Sequence, residues 1–152
     1  MDYQTLPTDI LVSQLREVGL RVTPQRLAIF RALANSDAHP TAQDLFEQLH
    51  PRLPSLSQAT VYNTLQTLVR HGLIQKIGAA GDGAIHYDAN PTPHINLICT
   101  RCHCVEDFFG VSLDGFAEQV IARSGYQVQG VRIAYYGLCP RCQRARVETA
   151  KR

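Results

Sequence analysis

No stretch of this 152-residue chain is apolar for long enough to span a bilayer, and its amino terminus lacks a basic segment leading into an apolar one. Membrane insertion and export are therefore not expected, and the chain reads as soluble and cytoplasmic. Charge is scarce too. Charged residues make up 18% against 45% hydrophobic, too few for a disordered tail protein and enough apolar mass for a core, in one domain or two small ones. A net charge of +2 singles out no partner. Internal repeats and low-complexity segments are missing. So are H-E-x-x-H and H-x-E…P-C-x-x-C, the arrangements that would mark a catalytic zinc. Five cysteines do not make a disulfide framework in such a chain; they read as metal ligands with one left over.

What is there concentrates between His86 and Asp107. Cys99-x-x-Cys102 lies in that stretch, and Cys139-x-x-Cys142 follows after 36 intervening residues. Two tight turns can each present two thiolates to one tetrahedral ion, and zinc prefers that sulfur set. Buried or disulfide-bonded cysteines are the alternative reading. Cys104, one residue past the first turn, is a spectator thiol, a substitute ligand or a redox switch.

Residues 1–85 hold seven basic and seven acidic side chains, yet no acid occurs between Glu47 and Asp82, where Arg52, Arg70 and Lys76 stand. An acid-free window is a weak footprint for nucleic acid. Thr8-Asp9 reads as a helix start with Ile10, Leu11, Leu15 and Val18 inward and Gly19 as the stop. Thr23-Pro24 opens a second helix with Leu27, Phe30, Leu33 and Ala34 on its core side, and Thr41 with Asp44 resembles a capping box before a third. Ser57 opens a fourth, with Val61, Leu65, Leu68 and Val69 inside. Its other face offers Gln58, Thr60, Tyr62, Asn63, Gln66 and Thr67. Leu73–Ile77 and Ala84–Tyr87 look like strands around a glycine-rich tip. Helices followed by a hairpin make a winged helix-turn-helix, whose recognition helix enters the major groove. A polar helix face that is merely solvated is the alternative.

Composition changes at Asn90-Pro-Thr-Pro93, which places a hinge at 89–93 between domains at 1–88 and 94–152. The second half reads as α+β: strands at His94–Cys99 and Val105–Phe109, a helix over Leu113–Arg123 with Phe116, Val120 and Ile121 inward, and a strand over Tyr126–Leu138. Roughly sixty residues usually need a staple or a partner subunit, which zinc and dimerisation would supply. His39, Asp88, His94, Asn96 and Asp107 form a second, nitrogen–oxygen donor set suited to Fe²⁺ or Mn²⁺, unless they are surface histidines beside ordinary acids.

The order of motifs resembles the ferric uptake regulator family of bacterial metal-responsive repressors over nearly the whole chain. The pieces that carry the resemblance are Gly19-Leu-Arg-Val-Thr-Pro-Gln-Arg26, His39-Pro-Thr-Ala42, Ala59-Thr-Val-Tyr-Asn63, Gly72-Leu-Ile74, His94 with the run into the first CxxC, and the second CxxC. The resemblance implies a winged helix, an α/β dimerisation domain, a structural Cys₄ zinc and a regulatory metal at the hinge that closes the dimer onto DNA. Within the family the chain looks most like the peroxide-sensing PerR branch. Asp107 stands where iron sensors usually carry glutamate, and Asn63 where many carry arginine. The further metal site of iron sensors is largely absent, since Pro93 and Ile95 occupy two of its matching positions. Asn96 stands in place of a second histidine, leaving a weaker, neutral amide ligand. By the same resemblance His39 and His94 are the oxidation-sensitive residues.

The leading reading is therefore a metal-dependent, peroxide-sensing repressor that binds a palindromic duplex as a homodimer. Tyr62 would touch thymine methyls, Ser57, Gln58, Thr60 and Asn63 bases or phosphates, and Arg21 and Arg26 the backbone or a minor groove. An iron- or zinc-responsive repressor without peroxide sensing, a zinc-dependent enzyme built on His94 and Asp107, and a zinc-stapled interaction module are the competing readings.

Overall fold

The structure is a computed structural model that describes residues 6–78, 80–90, 92, 94–111, 115–128 and 131–150, with side chains to 145 in the last helix. The chain folds as two compact units, Met1–Pro91 and Thr92–Arg152. Pro91 and Pro93 of the expected hinge lie outside the described residues.

Four helices and a hairpin make the first unit: α1 (Thr8–Glu17), α2 (Pro24–Ala34), α3 (Ala42–Leu49), α4 (Gln58–Arg70), β1 (Gln75–Ile77) and β2 (His86–Asp88). Local chemistry sets most boundaries. The Thr23 hydroxyl accepts from the Arg26 N–H at 3.2 Å and Pro24 takes the first helical position of α2. Thr41 and Asp44 form the capping box of α3, and the Ser57 hydroxyl caps α4 by accepting from the Thr60 N–H at 3.1 Å. Gly72, at φ 71°, turns the chain out of α4 into the hairpin. The start of α1 departs from expectation. Thr8 is its first helical residue and Pro7 stands at the cap without a side-chain bond.

Leu11, Leu15, Ile29, Phe30, Leu33, Leu45, Val61, Leu65 and Leu68 make one core, sealed by Tyr87 from β2. Ile10, expected inward, is exposed; it sits a third of a turn away from the Leu11–Leu15 stripe. The hairpin strands are shorter than expected, because only Gln75–Ile77 and His86–Asp88 find ladder partners. Tyr87 N–H also donates to the Pro40 carbonyl at 3.2 Å, which ties β2 to the loop before α3. The result is a winged helix-turn-helix.

In the second unit β3 (Ile95–Cys99) is central, with β4 (Val105–Phe108) antiparallel on one side and β5 (Ile133–Gly137) parallel on the other. Helix α5 (Phe116–Ser124) lies between β4 and β5 in sequence, and α6 (Pro140–Ala150) follows. Three expectations need correction. The last strand spans Ile133–Gly137 rather than Tyr126–Leu138, since only those residues pair with β3. Helix α6 was not expected: Pro140 in a CxxC turn reads as a loop residue, yet it takes a first helical position. Helix α5 begins at Phe116, Leu113 lying outside the described residues. Its apolar Phe116, Val120 and Ile121 stay about half exposed and no residue of α5 is buried, so its hydrophobic stripe is not spent on the core of its own unit.

Candidate metal centres and nucleic-acid face

The parallel pairing of β3 with β5 decides where the cysteines meet. Cys99 lies opposite Gly137 in register, so the carboxyl ends of both strands, and the turns that follow, emerge side by side. Thr100 N–H donates to the Gly137 carbonyl at 2.8 Å, and the Arg101 guanidinium to the Cys142 carbonyl at 3.2 Å. His103, in the left-handed region at φ 61°, folds the first turn back. Sulfurs of Cys99, Cys102, Cys104 and Cys139 then all lie within 4.8 Å of one another, with Cys102 3.4 Å from Cys104 and 3.7 Å from Cys139. Cys142 is buried beside them, one helical turn into α6.

Electrostatics splits four of the thiols. Backbone N–H groups of Cys102, Cys139 and Arg101 bring Cys99 down to about 7. The Cys104 N–H, then the Arg141 side chain, bring Cys102 to about 5. Burial, reinforced by the neighbouring sulfurs, pushes Cys104 and Cys142 up to about 12. Sulfurs gathered this closely, two of them favoured as thiolates, fit a thiophilic divalent ion, and the donor set fits zinc.

The nitrogen–oxygen donors form two sets, each held within one unit. In the first unit His39 Nε2 lies 4.0 Å from Asp88 Oδ1, and both residues are buried. His39 sits at φ 48°, a conformation uncommon for a residue with a side chain. It is held there by His86, whose Nδ1 donates to the His39 carbonyl at 2.8 Å while its Nε2 lies 2.9 Å from Asp82 Oδ2. The Asn90 N–H donates to Asp88 Oδ1 at 2.7 Å.

In the second unit His94 Nδ1 lies 2.7 Å from the Thr92 carbonyl, which can only accept, so Nδ1 donates. Nε2 lies 3.2 Å from Asp107 Oδ1. An imidazole nitrogen and a carboxylate oxygen at that distance are a donor pair that a divalent cation can use. The ring also packs against Phe109, centroids 5.5 Å apart. Asn96 and Asp107 are direct cross-strand partners, and the buried Asn96 Oδ1 has no hydrogen-bond partner among the described residues. An orphaned amide oxygen is costly unless an ion or donor meets it. These residues fit a divalent metal of intermediate hardness.

On α4, Tyr62 is 47% exposed and Asn63 is open to solvent. Ser57 and Gln58 are less available. The Ser57 hydroxyl caps the helix, and Gln58 Nε2 donates to Gln43 Oε1 at 3.0 Å. The Arg26 guanidinium is drawn onto the Arg21 carbonyl. Beside it runs a polar cleft of about 250 Å³ lined by Thr23, Gln25, Arg26, Thr60, Asn63, Thr64 and Thr67. Sequence reasoning missed Thr23, Gln25 and Thr64 as members of this surface, because capping and helix burial explain them fully on their own. His86 was missed as well; its side chain acts on a residue far away in the chain.

Comparison with known proteins follows the same lines. The family model described as "Ferric uptake regulator family" matches residues 17–136. The peroxide operon regulator of Bacillus subtilis (strain 168) is 37% identical over 130 residues, covering 86% of this chain and 89% of that protein. The fold is similar to the crystal structure of the Campylobacter jejuni peroxide stress regulator, with a TM-score of 0.68 and 28% identity over 88% of this chain and 97% of that one. It is also similar to a zinc uptake regulator complexed with zinc and DNA, with a TM-score of 0.62 and 25% identity over 92% and 97% of the two chains.

Proposed function

The chain belongs to the ferric uptake regulator family, and from that premise we propose that it is a metal-dependent, peroxide-sensing transcriptional repressor acting on DNA as a homodimer. Cys99, Cys102, Cys139 and Cys142 would hold a structural zinc. His39 and Asp88 from one unit, with His94, Asn96 and Asp107 from the other, would hold one exchangeable Fe²⁺ or Mn²⁺. Tyr62 and Asn63 would read bases, with Ser57, Gln58 and Thr60 at the groove edge and Arg21 and Arg26 toward phosphates. The exposed apolar side chains of α5, β4 and β5 support dimerisation, since a unit this small leaves them for a partner subunit to cover.

One observation carries the regulatory reading. His94 has its Nδ1 proton committed to Thr92, its Nε2 3.2 Å from Asp107 Oδ1, and beside it on the same sheet the Asn96 oxygen, which has no hydrogen-bond partner among the described residues. That arrangement is pre-organised for a cation, because a second-shell hydrogen bond fixes the tautomer a metal requires. Iron bound there would reduce hydrogen peroxide beside its own ligands. His39 and His94 then present the nearest oxidisable rings, and an imidazole that has gained an oxygen is a poorer donor. Losing that donor would release the metal on which DNA binding depends, and the α4 face would leave the groove.

A gel-shift assay on a palindromic duplex from the protein's own promoter tests this. The Mn²⁺ and Fe²⁺ forms should bind and the chelated form should not, and peroxide should release only the Fe²⁺ form. Retention of DNA by chelated protein, or equal release of both metal forms, would overturn the reading.

A further inference from the structure

The fifth cysteine is not spent by the proposed function, and its position in the cluster is the observation with most chemistry left in it. Cys104 follows Cys102 by two residues, a separation that would put their side chains on one side of an extended chain and carry them apart. Here the left-handed His103 curls the backbone. The Cys99 N–H donates to the Cys104 carbonyl at 2.9 Å, the His103 N–H donates to the Cys99 carbonyl at 3.0 Å, and the two sulfurs close to 3.4 Å. The group of sulfurs that lie within 4.8 Å of one another contains Cys104, together with Cys99, Cys102 and Cys139. Cys142 touches the same sulfurs from the α6 side but is almost wholly buried, whereas Cys104 is partly exposed and lines an open cavity of about 200 Å³ with Cys99 and Cys139.

We infer that Cys104 is a fifth sulfur ligand of the zinc centre, competing with Cys142 for the fourth coordination place around a core of Cys99, Cys102 and Cys139. Zinc has no geometric preference from its d electrons beyond four donors in a tetrahedron, so either thiolate completes it. The exchange is balanced. Cys104 gives its proton to solvent as it binds, Cys142 takes one up as it leaves, and the centre keeps four thiolates and the same charge. The inference rests on the zinc reading of the cluster and adds to it that the two outer sulfurs are interchangeable.

The test uses full-length protein and the variants Cys104→Ser, Cys142→Ser and Cys104→Ser/Cys142→Ser. Zinc content is read by native mass spectrometry, and sulfur count by the thiolate-to-metal charge-transfer absorption of the Co²⁺-substituted forms. Each single variant should hold one metal with the full four-sulfur absorption, and the double variant should lose about a quarter of it. A Cys142→Ser protein that already matches the double variant overturns the inference. Wild type gives a second readout that needs no variant to fold. In the cadmium-113-substituted protein the Cys104 Hβ protons should show scalar coupling to the metal, as those of the other ligating cysteines do. Coupling at the other four cysteines with none at Cys104 leaves the Cys₄ zinc reading standing and sinks this one. Wild type that binds no zinc sinks both.

Discussion

His86 donates its Nδ1 proton to the carbonyl oxygen of His39 at 2.8 Å, across 47 positions of sequence, while its Nε2 lies 2.9 Å from Asp82 at the tip of the hairpin. One imidazole thus joins the loop that carries a proposed metal ligand to the wing. A residue that orients a ligand this way is worth roughly 10–100-fold in metal affinity. His86→Phe should therefore weaken Mn²⁺ binding by about that factor, although His86 itself is not proposed as a ligand. Calorimetric titration reads it. An unchanged Mn²⁺ affinity in a folded variant would show that the His39 loop holds its left-handed turn without help.

Asp82 gives a pH dependence of definite sign. The Ala84 backbone N–H, then the His86 side chain, hold its carboxyl below the ordinary value of 3.8. A depressed folded value means that this contribution to the hairpin is complete above 3.8 and fades as pH falls through the lower folded value. Amide exchange at Ala84 and Tyr87 should not change through loss of this carboxylate between neutral pH and pH 5, and should quicken below pH 4 in wild type. In Asp82→Asn that acid-induced step should vanish. A step of equal size in both proteins would assign it to another group.

Cys99 is a core sulfur whichever thiol completes the zinc. For a unit with so few buried apolar residues, metal binding energy is folding energy. Cys99→Ser should lose zinc and the dimer together, as read by metal analysis and sedimentation. Recovery of a folded, zinc-free dimer counts against a structural zinc.

Tyr62 projects from α4 with nearly half of its surface exposed. It is not among the buried core residues, so its replacement by alanine should leave fold and metal content as they are. Specific DNA affinity should drop by roughly 1–3 kcal/mol, the range for one base-edge contact. Binding curves that superimpose on wild type would remove this face of α4 from the groove.

Peroxide sensing has a chemical signature of its own. After mild peroxide, Fe²⁺-loaded protein should carry one extra oxygen on His39 or His94, and Mn²⁺-loaded protein should carry none. Peptide mass spectrometry locates it. Oxidation confined to cysteines, with both histidines intact, would falsify the histidine route.

Much of the first unit was legible residue by residue, because the devices that set it are local. Thr23-Pro24, the Thr41–Asp44 box and Ser57 define helix starts within four residues of themselves, and the apolar spacing of Leu65 and Leu68 points them inward whatever the rest of the chain does. The second unit was read less well. Helix α6 begins at a proline inside a metal turn, and α5 carries an inward-looking stripe that its own unit leaves half exposed. Periodicity reports that a face is apolar. It does not say what covers it.

By itself, then, the sequence determined which residue types were available and at what spacing: two CxxC turns, a spare thiol, two histidines with nearby acids, and a polar helix face. Tertiary structure decided which of them meet. The thiols converge because β3 and β5 pair in parallel and end together, a long-range pairing to which no local signal corresponds. Cys104 joins them only through the left-handed turn at His103. Asn96 became a buried oxygen without a hydrogen-bond partner among the described residues through cross-strand register with Asp107, and His86 reached His39 through the pairing of β2 with the loop before α3. Spacing along a chain fixes what neighbours can do within a turn or two; contacts between distant segments depend on the free energy of the whole fold.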